Sequence, residues 1–190
     1  MSETKKQSFN DAVKKLFKRY FIDAMGAMAL GLFATLLMGT ILDTIGKYIP
    51  ISWLSACLCE AASFAKGASG MAIGVAIAYS LKSDPLVLFS CAVVGSASYS
   101  MGTTIALSSG AEIAYTAGPA GVFFAAIIAA ELGRLVSKKT KIDILVTPAV
   151  TILSGYIVAK LICPAIAYLM YYLGSFINTA TEMRPFVMGI

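Results

Sequence analysis

Ala24-Met-Gly-Ala-Met-Ala-Leu-Gly-Leu-Phe-Ala-Thr-Leu-Leu-Met-Gly-Thr-Ile-Leu42 is a run of nineteen residues without a single charge. A helix needs about 20 mostly apolar residues to cross the hydrocarbon core of a bilayer, so the run predicts a membrane span. A cleaved secretory leader is the rival reading, because basic residues come just before it. The run exceeds the roughly 7–15 apolar residues of a leader, and no small-x-small site closes it; it is read as a retained span. The whole chain has the same character. Of 190 residues, 58% are hydrophobic and 13% charged, against about 25% charged in an ordinary soluble domain. Mean hydropathy is +0.81. So few charges cannot keep the surface of a soluble fold wet, and lipid must solvate much of it.

Upstream of the run the composition reverses. Lys5, Lys6, Lys14, Lys15, Lys18 and Arg19 crowd into the first nineteen residues. Phe9, Val13, Leu16, Phe17 and Tyr20 recur among them at helical spacing, on the face opposite the lysines. The spacing predicts a basic amphipathic helix over 1–19, lying in the membrane interface against anionic lipids. The net charge of +5 is therefore a topology signal, and nucleic acid is not an expected partner.

Downstream, Asp43 to Pro50 is polar and reads as a hinge. Trp53 to Leu81 is long and apolar but holds Glu60 and Lys66 and then turns glycine-rich at Gly67, Gly70 and Gly74. A helix break between Glu60 and Gly74 follows. Lys82-Ser-Asp-Pro85 is a tight turn whose proline suits the first turn of the next helix. Leu86 to Leu107 reads as a third span, Ser108 to Gly118 as a small-residue loop able to re-enter the membrane, and Gly118 to Val136 as a fourth span. The fifth apolar stretch starts after Asp143 and runs to about Leu173, with a kink or break expected at Pro164. Pro185 to Ile190 resembles a sixth span just beginning, as in a fragment or in a protein completed by other chains. The expected fold class is an all-α polytopic transmembrane bundle of about five full spans plus a partial sixth, with segment 1–19 ahead of a transmembrane domain over 20–190. Lys82-Ser-Asp-Pro-Leu-Val87 also echoes Lys141-Ile-Asp-Ile-Leu-Val146, as two parallel helical hairpins would.

Charges inside lipid are functional candidates because each costs at least about 2.5–3.5 kcal/mol there. Glu60, Lys66, Glu131 and Lys160 qualify, the first two most strongly. Glu60 and Lys66 are six residues apart, about 240° around a helix, so they cannot pair on one regular face. Gly67-Ala-Ser-Gly70 after Lys66 has the composition of a broken helix whose freed backbone lines a cavity. A solute cavity walled by residues 60–74 and 108–118 is expected, with Glu60, Lys66, Gly67, Gly70 and Glu112 as substrate-binding candidates. The plainer reading of Lys66 and Lys160 is snorkelling to the interface, and of Glu131 closeness to the inner surface beside Arg134. Small residues recur four apart at Gly70, Gly74 and Ala78 and at Gly121, Ala125, Ala129 and Gly133, where helices can approach closely. The second stripe is expected to meet another helix, such as one from a second protomer in a homo-oligomer. Cys57, Cys59, Cys91 and Cys163 lie in apolar segments, and the chain has no histidine. Catalytic residues, a metal site and a cofactor are therefore not expected.

Several stretches carry a family resemblance. These are Tyr20 to Thr35, Gly74 to Phe89, Ala117-Gly-Pro-Ala-Gly121, Ala130 to Val136 and Lys139 to Thr151, with Lys141-Ile-Asp-Ile-Leu-Val-Thr-Pro148 the most specific. The chain resembles the membrane (EIIC) component of the bacterial phosphoenolpyruvate-dependent sugar phosphotransferase system, in a less-studied branch. The resemblance covers nearly everything after the N-terminal helix. It implies a multi-pass protein of the bacterial inner membrane that moves a sugar or related small solute. It also implies a cytosolic EIIB partner that supplies phosphate. Members of the family continue beyond the segment where this chain stops, and better-known branches place His and Glu near the sugar. This chain has no histidine for that role, so any phosphorylation of sugar would depend on EIIB. A channel or membrane regulator that kept the fold is the alternative.

With the N-terminus inside, the inner segments hold eleven basic residues, and the outer ones Lys47 and Arg184. That asymmetry fixes the orientation by the positive-inside rule. Single cysteines introduced at Ser137 and Thr44 should therefore label from opposite sides of a sealed vesicle. Equal labelling from outside would contradict the topology.

Overall fold

The computed structural model describes residues 14–106, 112–139 and 142–183. The first helix, α1, is continuous over Lys14–Tyr48, 35 residues, or about 50 Å at 1.5 Å per residue. The uncharged run of residues 24–42 lies inside it. Residues 14–19 are its first turns and run on into the span; residues 1–13 of the expected interfacial helix lie outside the described residues. The hinge expected at Asp43 is not there. Helix continues through it because the Asp43 carboxylate accepts from Lys47 one turn later, at 3.0 Å, and from Lys66 of the next helix, at 2.9 Å. The chain leaves helix only at Ile49, whose ψ is 126°, as expected of a residue before proline.

Helix α2 covers Ser52–Gly67 and α3 covers Ser69–Ser80. They meet at Ala68 with a bend of 49°, so the break expected between Glu60 and Gly74 is present. It leaves few backbone groups bare. Ala68 N–H still donates to the Phe64 carbonyl and Ala72 N–H to that of Ala68, while the Ser69 hydroxyl donates to the Lys66 carbonyl at 2.7 Å. The bend has a counterpart in α1, which widens into a π-helical stretch at Phe33–Leu37. Before that stretch α1 packs on α3, and after it on α2. Gly31, Gly39 and Gly46 supply the contact. A Cβ on each would lie 3.1 Å from Ala72 backbone, 2.8 Å from Lys66 Cγ and 2.8 Å from Cys59 Sγ, respectively.

After the turn, α4 runs over Pro85–Ser100, with the proline in its first turn as expected. The third span was expected to reach Leu107, but helix stops at Ser100. Gly102–Ala106 is instead strand β1, paired antiparallel with strand β2, Glu112–Thr116. The expected loop over 108–118 is thus largely one arm of a hairpin; 107–111 lie outside the described residues. Thr103, Thr104 and Ile105 are β-branched and suit a strand. A Cβ at Gly102 would fall 1.8 Å from the Tyr115 carbonyl oxygen. Open sheet edges are not tolerated against lipid, and the hairpin packs on the last helix, where Tyr115 meets Tyr171 edge-on at 5.3 Å.

Helix α5, Gly118–Val136, has the limits expected from its Gly-Pro start and its terminal arginine. At about 28 Å it matches the bilayer core. The small-residue stripe on it does not wait for a second chain. Gly121 faces Cys163 and the Ser98 carbonyl, Gly133 faces Thr151 and Val87, and Ala129 faces Gly155. The stripe is fully occupied by α4 and by α6, the helix over Asp143–Met183. At 41 residues α6 outruns the stretch read from the sequence, and of the kink or break expected at Pro164 there is no break, since helix continues through Pro148 and Pro164. Cys163, Ile166 and Ala167, which flank Pro164, are buried, and that packing holds the helix through the missing hydrogen bond. Residues 184–190, the expected start of a sixth span, lie outside the described residues.

The result is an all-α membrane fold with one short β-hairpin. Three described helices are long and apolar enough to cross a bilayer, or four when α2 and α3 count as one bent span. Helix α4, with 16 residues, is shorter. The tightest contact between helices lies between α3 and α4, where a Cβ on Gly74 would fall 2.2 Å from the Cys91 carbonyl oxygen. Gly74→Ala should therefore push two backbones apart and cost roughly 1–3 kcal/mol, the range for overpacking. Gly26→Ala has open space around it and should gain up to about 1 kcal/mol of helix propensity. Thermal unfolding in detergent should rank the two variants on opposite sides of the parent; equal midpoints would contradict the packing.

Candidate functional site

The helices carry the ion-paired side chains to two ends of the bundle. At the first end, the start of α1 meets the end of α3 and the end of α5. Arg19 Nη2 donates to the Leu81 carbonyl at 3.1 Å and to Glu131 Oε1 at 3.1 Å, and Arg134 Nη1 donates to the same carboxylate oxygen at 3.0 Å. The Arg19 guanidinium also lies 5.4 Å from the Tyr20 ring centroid. These groups are about one-third exposed, as at a headgroup boundary. Glu131 is thus an anchor that ties α1 to α5, and it also accepts from Arg134, the residue it was expected to lie beside.

The two interhelical turns at this end are latched together. Asp84, ahead of α4, accepts from the Ser137 hydroxyl at 2.8 Å and forms an ion pair with Lys138. Lys138 in turn donates its backbone N–H to Asp143 Oδ1 at 3.0 Å, and Thr147 donates its hydroxyl to that oxygen. Lys82 and Lys138 both take left-handed backbone, with φ of 55° and 62°. The echo between the sequences at Asp84 and Asp143 corresponds to two helical hairpins, α3–α4 and α5–α6, with these turns side by side.

The second end holds the expected site residues. Lys66 is bound to Asp43, which also holds Lys47. The partner of Lys66 is therefore on α1, one of the two arrangements, with a helix break, that the 240° offset from Glu60 left open. Glu60 is exposed on α2 and forms no ion pair among the described residues. Gly67 is exposed at the end of α2 with open space around it, whereas Gly70 is buried and packed on Gly95 and on Tyr99 Cβ, just ahead of the hairpin. Gly70 thus serves helix packing. Glu112 is in β2, with its backbone paired to Ala106. Lys160 is exposed on α6. Asp43 was missed in the sequence as a site residue because it was assigned to a hinge; its four-residue spacing from Lys47 was the available signal. The cysteines are free thiols, with Cys91 and Cys163 buried. Cys163 lies 3.6 Å from the Ser98 carbonyl.

This arrangement defines an α-helical membrane protein with a bent helix pair and ion pairs gathered at its two ends. A family model described as "Phosphotransferase system, EIIC" matches residues 22–190. The chain belongs to that family and is a membrane subunit of the phosphotransferase transport system. Searches of curated proteins and of solved structures returned no match.

The Asp84 latch has a pH signature. The Lys138 ammonium, then the Ser137 hydroxyl, hold the Asp84 carboxyl below its ordinary value of 3.8. A carboxyl depressed on folding adds stability that is present above its unfolded value and is lost as pH falls through the folded one. Asp84→Asn should thus lower the thermal midpoint at pH 7 and have a progressively smaller effect below about pH 4. An equal loss at pH 7 and pH 3 would contradict the latch.

Proposed function

We propose that this chain is the solute-carrying subunit for a sugar or related small solute in a bacterial inner membrane, with its N-terminus cytoplasmic. A phosphorylated EIIB protein acts as its partner and phosphate donor. The family match over residues 22–190 is the observation that carries this reading. The concentration of basic residues at the end holding Arg19, Lys82, Arg134 and Lys138 supports the orientation. The absence of histidine supports placing the phosphate donor on the partner, because the chain has no imidazole to accept phosphate or shuttle a proton.

The polar element of the path is the elbow around Ala68. There the Asp43–Lys66 pair stands beside the helix break, with Gly67 open and Glu60 about two turns away on α2. Glu112, in the hairpin, completes the candidate set. A broken span provides backbone groups and an ion pair that can exchange protein partners for sugar hydroxyls without a large change in charge.

Uptake into proteoliposomes tests the reading, with a panel of radiolabelled sugars in the presence and absence of phosphorylated EIIB. Accumulation of phosphorylated sugar only with EIIB is expected. Solute flux indifferent to EIIB would favour the alternative of a channel or regulator that kept the fold. Lys66→Met keeps the long side chain and removes the charge. It should reduce uptake at least about tenfold while leaving the protein folded, since only one partly exposed ion pair is lost. Normal uptake by Lys66→Met would remove the elbow from the solute path.

A further inference from the structure

We propose that the cavity at the basic end of the bundle is a binding site for the phosphodiester headgroup of an anionic phospholipid. The cavity has a volume of about 770 Å³ and opens between the start of α1 and the α3–α4 turn. Lys15, Lys18, Arg19, Lys82 and Arg134 line it, with Asp23 as the acid in its wall. Glu131 engages Arg19 and Arg134. The ion pairs of the described residues leave Lys15, Lys18 and Lys82 without a carboxylate. A solvated charged face spreads its cations apart. Here they converge on one concavity from three elements distant in sequence, and Lys82 does so from a left-handed backbone that disfavours any residue with a side chain. Such a cup at the edge of a bilayer is completed by an anion, and basic pockets between membrane helices suit lipid phosphates.

A second cavity favours a lipid over free phosphate. It measures about 400 Å³, shares Lys15 and Lys18 with the first, and is otherwise lined by Lys14, Phe17 and Ile22. Phe17 and Ile22 are well exposed. A cationic cup joined to an apolar slot through two shared lysines matches an amphiphile, with its phosphate in the cup and an acyl chain along Phe17 and Ile22. The site depends on the protein's lying in a membrane and not on the identity of its solute.

The test uses the full-length protein purified in detergent. Native mass spectrometry counts bound lipid after addition of phosphatidylglycerol or phosphatidylcholine, with inorganic phosphate and glycerol 3-phosphate as soluble competitors. Phosphatidylglycerol should bind selectively and resist both competitors. The triple variant Lys15→Gln, Lys18→Gln, Lys82→Asn should bind it about a hundredfold more weakly, at about fivefold per lysine; asparagine is used at 82 because it tolerates the left-handed backbone. Replacing the same three lysines with arginine should preserve binding, and Lys139→Gln, at the same end but outside the cavity, should change it less than twofold. Equal binding of both lipids, or displacement by soluble phosphate, would overturn the proposal. So would a triple glutamine/asparagine variant that binds like the parent, an arginine variant that does not bind, or a Lys139→Gln loss as large as fivefold.

Discussion

The approach of Gly74 to the Cys91 carbonyl, reciprocated by Gly95 on the Gly70 carbonyl, is the contact that sets the rest of the fold. In lipid there is no hydrophobic drive to bring helices together, so close van der Waals packing must do so. Glycines on both helices let two backbones touch, and no side chain intervenes. Helices α3 and α4 become one plate. Helix α5 then lies on α4 through Gly121 and Ser98, and on α6 through Gly121, Ala129 and Gly133. The buried hydroxyls in this core are bonded locally, Ser98 to the Val94 carbonyl and Thr151 to that of Thr147. The core therefore tolerates polar groups without opening to water.

The long first helix relates to this core in two ways. Its first half packs on α3 and belongs to the bundle. Its second half pairs with α2 and departs with it beyond the bend at Ala68. The π-helical stretch at Phe33–Leu37 sits at the changeover, and π-helical turns are frequent at functional sites. From Arg19 to Asp43 is 24 residues along α1, or about 36 Å, slightly more than the hydrocarbon core of a bilayer. The two ion-pair clusters, Arg19–Glu131–Arg134 and Lys47–Asp43–Lys66, are thus separated along α1 by about the thickness of a hydrocarbon core.

Some of this was legible in the amino-acid sequence. The break at Ala68 could be read because a charge followed by two glycines in four residues conflicts with a regular lipid-facing helix. The limits of α5 could be read because Gly-Pro and Arg134 punctuate both ends. The hairpin could not. Gly102-Thr-Thr-Ile-Ala106 is as apolar as a helix end, and hydropathy alone does not distinguish a strand from helix over five residues. The real length of α1 was hidden because Asp43 and Lys47 look like a polar hinge until Lys66 is seen to satisfy them from another helix. At Pro164 the sequence left a kink or a break open; helix continues through it, with Cys163, Ile166 and Ala167 buried beside it. Of the candidate site, Lys66 and Gly67 were placed beside a real break. Gly70 is buried against Gly95, and Asp43 emerged only from tertiary contact.

The central claim is that the small-residue face of α5 is consumed within the chain. A Cβ at position 121 would lie 3.0 Å from Cys163 Sγ, close enough for a disulfide. The measurement is oxidation of Gly121→Cys in a background that retains Cys163 and replaces the other three cysteines with alanine, with Ala117→Gly to clear the neighbouring methyl at 2.5 Å. Mass analysis of the denatured, proteolysed product should find peptides from α5 and α6 joined within a monomer. A dimer joined through residue 121, or a free thiol at 121 after complete oxidation, would contradict the account.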